Sequence, residues 1–195
     1  MIGVYPFRFA LGITALCLSG IAAQAQDPAA QLEEVKLLKV KALIDKGIRG
    51  NLYVNCDDVF ILYVNGTKVM EGKWPATPEP RAFKFKPGDL LVARAGNVGG
   101  PFGFSMIFRS NSRKASFSTG TNDWYTFTPK SQKTWWETGP FDRLDKQPCS
   151  ATAVPFKVAI EEQSEMICKT AIWGDLRQST VYLVKQVTYD DLMEK

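Results

Sequence analysis

The sequence predicts an all-β chain folded as a sandwich of jelly-roll type. Three observations predict it. Short runs rich in β-branched and aromatic residues recur along the chain. Gly, Pro, Asn and Asp punctuate them at regular spacing, and neither a long amphipathic helix nor an internal repeat interrupts the pattern. The clearest run spans residues 57–72, where an apolar stretch at 59–64 meets Asn65-Gly66 and a second short run follows. Asn-Gly between two such runs is a strong hairpin signal, because a type I′ turn requires positive φ at both central residues.

Taken in order, the chain opens with an apolar, small-residue stretch at 9–23, preceded by Arg8 and followed by Ala23-Gln24-Ala25. This pattern reads as a secretory signal peptide over residues 1–25. About fifteen apolar residues fall short of the roughly twenty that cross a bilayer. The expected mature chain therefore begins at Gln26, is secreted or periplasmic, and carries no membrane span. Residues 26–34 read as a flexible lead-in. Leu38, Val40, Ala42 and Ile44 alternate with Lys39, Lys41 and Leu43, a period that favours a strand after a short helical turn. One domain is expected over 35–189, with an acidic tail at 190–195 that frays. Strands are predicted near 51–56, 59–64, 67–70, 82–86, 90–95, 102–108, 114–118, 124–128, 153–160 and 181–187. Turns fall at 65–66, 75–80, 87–89, 97–101, 120–123 and 175–179, and a long loop at 143–150.

Composition narrows the function. The chain has 195 residues, 24 basic and 20 acidic, for a net charge of +4, which loss of Arg8 lowers to +3. That balance, without a polybasic cluster, argues against a nucleic-acid partner. There is no histidine, which removes Ser-His-Asp and Cys-His catalysis and histidine-liganded zinc. No phosphate-cradling loop is present. Residues 96–103 are glycine-rich but carry no lysine and lead into a strand rather than a helix. Carboxylates are numerous, yet no two are set apart as a facing pair. The chain is therefore read as a non-enzyme. Calcium has no clear motif, and no cofactor is assigned.

Of the four cysteines, Cys17 leaves with the leader. Cys149 and Cys168 are the favoured disulfide, closing a loop of about twenty residues for roughly 3 kcal/mol. Cys56, in an apolar strand, reads as a buried thiol, though pairing with either of the others stays open.

Several segments, in order, resemble one galactose-binding-like β-sandwich module. They are the hairpin at 57–70; Phe85-Lys86-Pro87-Gly88-Asp89 with the strand after it; Gly99-Gly100-Pro101-Phe102-Gly103-Phe104; residues 121–125; Trp135-Trp136 followed by Gly139-Pro140-Phe141-Asp142; and Ala171-Ile172-Trp173 with Val181-Tyr182-Leu183-Val184-Lys185. The resemblance implies a jelly roll in which Trp124 and Trp173 are core residues. It also implies a binding role, since such modules accompany bacterial glycoside hydrolases or stand alone as lectin-like proteins. The family has no universal ligand residues to carry over.

Sugars are held by an aromatic face with polar side chains beside it, so the site candidates are aromatic. Trp74 sits in a Pro-rich loop where a core role is hard to argue. Trp135 and Trp136 cannot both point inward on a strand. Lys133, Glu137 and Asp142 lie close to that pair in sequence. Trp74, Trp135, Trp136 and Asp142 are thus the expected ligand-binding residues. The expected partner is a carbohydrate, or alternatively a protein in an extracellular or envelope assembly, where tryptophan is a favoured anchor.

Overall fold

A computed structural model describes residues 27–76, 78–100, 102–112, 114–120, 122–152 and 170–194. Helix α1 spans Pro28–Asp45. Strands follow as β1 Ile48–Asp57, β2 Val59–Val64, β3 Thr67–Lys73, β4 Arg81–Phe85, β5 Leu90–Gly96, β6 Gly103–Ser110, β7 Ser116–Ser118 and β8 Tyr125–Phe127. After a single 3-10 turn at Phe141–Arg143 come β9 Lys146–Pro148, β10 Ser150–Thr152, β11 Ala171–Trp173 and β12 Thr180–Gln186, then helix α2 Tyr189–Leu192.

The described strands form two antiparallel sheets. Sheet A runs β10-β11-β6-β1-β4, with β7 on the same flank of β6 as β11; sheet B runs β3-β2-β5-β12-β8-β9. Alternation explains how they pack. Leu52, Val54 and Cys56 of β1 and Phe104, Met106 and Phe108 of β6 are buried from one side. Phe60, Leu62 and Val64 of β2, Leu91, Ala93 and Ala95 of β5, and Val181 and Leu183 of β12 are buried from the other. Phe60 meets Phe104 edge-on between the sheets at 6.1 Å. Trp124 and Trp173, both fully buried, fill the same layer. Each such side chain contributes about 1.5–3 kcal/mol or more on leaving water.

The Asn65-Gly66 hairpin forms as its chemistry requires. Both residues have positive φ, 48° and 76°, and Val64 pairs with Thr67. Asn65 does more than turn the chain. Its amide Nδ2 donates to Asp89 at 2.8 Å while its Oδ1 accepts from the Leu90 amide at 2.8 Å, tying the hairpin to the turn before β5.

One fully buried charge lies between the sheets. Lys185 of β12 faces inward and pairs with Asp123 and, at 3.0 Å, with Asp191. Asp191 also accepts from the Thr188 amide and hydroxyl, closing the capping box that starts α2.

Three expectations are corrected. Residues 38–44 are helix, not strand, and 28–34, expected as a lead-in, form its first turns. Asp27 accepts the Ala29 amide at 3.0 Å, Pro28 sits in the first turn, and no glycine interrupts the helix. Those signals outweigh a seven-residue alternation. Residues 143–150, expected as loop, contribute β9 and the start of β10. Residues 189–192, in the segment expected to carry a fraying tail, form α2 with Leu192 buried. The predicted strand at 153–160, the leader at 1–25 and Cys168 lie outside the described residues. Cys56 and Cys149 are free and buried. Burial pushes both thiols up, Cys149 to about 12.

Candidate functional site

Sheet B has a second apolar face, turned away from the sandwich core. Ile61 and Tyr63 of β2, Leu90 and Val92 of β5, Tyr182 and Val184 of β12, and Tyr125 and Phe127 of β8 all project there. The segment after β8 folds back over them. Trp135 and Trp136 lie in a turn closed by the Glu137 amide donating to the Thr134 carbonyl at 2.9 Å, not in a strand. They nevertheless divide their roles. Trp135 is 6% exposed and meets Tyr63 edge-on at 4.9 Å and Tyr182 at 5.6 Å. Trp136 is half-buried and stacks flat on Tyr63, centroids 5.0 Å apart and planes 10° from parallel. Tyr182 donates from its hydroxyl to Gln132 at 2.5 Å.

Beside this cluster the face opens into a recess of about 430 Å³, lined by Val59, Phe60, Ile61, Glu71, Gly72, Lys73, Arg94 and Gly96. Its shape follows from strand register. Glu71, Ile61, Arg94 and Tyr182 are cross-strand neighbours on β3, β2, β5 and β12. Lys73, Val59, Gly96 and Thr180 form the adjoining row. Gly96 keeps the floor open: a Cβ there would stand 3.0 Å from the Val59 side chain.

The recess adjoins the aromatic cluster through Ile61, which belongs to both. Tyr63, under Trp136, lies four residues along β2 from Val59, about 13 Å at strand spacing. Trp74 follows Lys73 directly, is 40% exposed, and donates its amide to the Asp58 carbonyl at 2.5 Å. Trp135 is the buried support beneath its neighbour. Asp142 is exposed on the 3-10 turn, where the adjoining Phe141 ring meets Tyr125 of β8 at 5.8 Å and carries the Lys146 ammonium 4.4 Å above it. β8 is two strands beyond β5, so Asp142 stands on the far side of the aromatic cluster from the recess.

Sequence reasoning missed Arg94, Tyr63 and Tyr182. The signal for Arg94 was present: it is the one charged residue in the strand Leu90–Gly96. It is exposed and, among the described residues, neither it nor Lys73 has an ion-pair partner. Glu71 is engaged by Lys68 at 2.8 Å.

The acidic pair at the β1–β2 junction is a structural feature. Burial raises the Asp57 carboxyl above its ordinary value, and neighbouring Asp58 raises it further. Asp58 accepts the Val98 amide at 2.5 Å and so anchors the loop after β5. The two carboxyls are sequence neighbours rather than a pair facing across a cleft, which is not a glycosidase arrangement. Among the described residues no cluster of three or more His, Cys, Asp or Glu could hold a metal ion. No described helix is long and apolar enough to cross a membrane. Comparisons with protein-family models, with curated proteins and with solved structures found no match to this chain.

Proposed function

We propose that this chain is a secreted or periplasmic, non-enzymatic binding module with a galactose-binding-like jelly-roll fold, and that its ligand is a carbohydrate. The observation that carries the reading is the open recess on the outer face of sheet B, which adjoins through Ile61 the aromatic cluster where Trp136 stacks on Tyr63. Aromatic rings cover the C–H face of a pyranose, and side chains such as Gln132, Arg94 and Lys73 are within the same surface to read hydroxyls. The order of the sequence motifs and the two antiparallel sheets support the fold assignment. The absence of histidine and of assembled catalytic roles supports a binding role.

The test is titration of the chain from Gln26 against a panel of glycans and polysaccharides, with and without calcium. Saturable binding should weaken about tenfold or more in Trp136→Ala or Trp74→Ala, each removing a stacking face. Trp135→Ala is not a test of binding, because the ring is buried. A folded chain that binds no saccharide would remove the reading.

A second reading is favoured by α1. Leu32, Val35, Leu37, Leu38, Val40 and Leu43 are all 41–61% exposed. Large apolar side chains exposed together on one helix are commonly covered by a partner, so a protein-interaction subunit of an extracellular or envelope assembly is the alternative. Sedimentation equilibrium separates the two: a monomer that binds sugar supports the first reading, whereas a stable oligomer lost in Leu38→Lys supports the second.

A further inference from the structure

The recess is net positive, with Arg94 and Lys73 against the single carboxylate Glu71. Arg94 and Lys73 stand on its wall without ion-pair partners among the described residues, while Glu71 is paired with Lys68 at 2.8 Å. Arg94 is placed on a rigid central strand, between Ile61 and Tyr182 in register. An arginine fork on such a strand matches the two oxygens of a carboxylate, and an ion-paired contact of this kind outweighs a neutral one about twofold. A neutral sugar would leave both cations uncompensated; an acidic sugar would pair them.

We propose that the recess takes an acidic saccharide, a uronate unit of a polysaccharide. Its carboxylate is gripped by Arg94 with Lys73 beside it, and its ring lies over Ile61 towards Tyr182. The inference rests on the carbohydrate reading above and narrows it to a ligand class.

The experiment compares trigalacturonate with the neutral galactose trimer of the same linkage, titrated into the full chain from Gln26 by calorimetry. The acidic trimer should bind about tenfold or more tighter, and that preference should shrink as salt is raised. Arg94→Gln should abolish the preference. Its side chain is exposed, so an unchanged unfolding midpoint shows that the fold is intact. Equal binding of both trimers overturns the acidic assignment and leaves the carbohydrate reading standing. Acidic preference that survives the Arg94→Gln, Lys73→Gln double change places the carboxylate elsewhere and also overturns it. Binding of neither trimer, nor of any panel glycan, removes both readings together.

Discussion

The two helices are opposites. α1 has 18 residues and a capped N-terminus, yet Ile44 is its only buried residue. α2 has four residues, far below what an isolated helix needs, yet Leu192 is 1% exposed and Asp191 is held by a fully buried lysine. The two touch at one place, where Tyr189 donates to Asp45 at 2.5 Å and Lys41 lies 5.9 Å from the same ring. Local propensity makes α1; tertiary contacts make α2. Length therefore says little about how firmly an element is bound to its domain.

The contrast is broken most severely at Lys185. Lys185→Met leaves Asp191, 12% exposed, and the more exposed Asp123 without their cation, and leaving such an acceptor unpaired costs about 1–3 kcal/mol. Denaturant unfolding should show that loss, and amide exchange should show α2 released. A result within about 0.5 kcal/mol, the range of a surface change, would mean the pair is not structurally coupled. Thr188→Ala removes one side of the capping box and should cost about 1 kcal/mol. Leu38→Ala on α1 should change monomer stability by less than about 0.5 kcal/mol, because the side chain is 59% exposed and has nothing to leave behind. A larger loss would reveal that α1 is covered in solution.

The smallest effect lies at the contact between the helices. The hydrogen bond to Asp45, with a lesser contribution from desolvation, holds the Tyr189 hydroxyl above its ordinary value of 10.0. Its stabilising contact is therefore fully present below pH 10 and is lost as pH rises through the elevated folded value. A difference titration of phenolate absorbance against Tyr189→Phe should show it, and Asp45→Asn should return the value towards 10.

The same contrast shows what was legible in the sequence. The β2–β3 hairpin, whose cause is local, was read correctly. The Asn65-Gly66 turn needs only its two residues, and β2 was placed to the residue because alternation and turn agree. α1 was misread where Lys39 and Lys41 happen to alternate with apolar neighbours, although the Asp27-Pro28 start was available as a helix signal. β9, β10 and α2 carry little local pattern; strand pairing, or a lysine arriving from β12, creates them. The site divides likewise. That Trp74 is exposed could be read from its Pro-rich loop. That Trp136 rests on Tyr63, and that Arg94 stands beside Tyr182, depends on cross-strand register, which no single stretch of chain contains.

The position of β12 has a consequence for how the molecule is made. This strand lies between β5 and β8, in the middle of sheet B, though most of the described chain precedes it. During synthesis, β2, β3 and β5 can meet early as a three-stranded sheet, but the β8–β9 pair cannot join it until Thr180 to Gln186 emerge. A nascent chain halted before Thr180 would present an open β5 edge and half of a hydrophobic layer. Closure of the sandwich is thus a late event that waits on pairings across about ninety residues of sequence, the kind of long loop that slows folding. Until that strand is delivered, the chain must be kept from pairing its open edge with another copy.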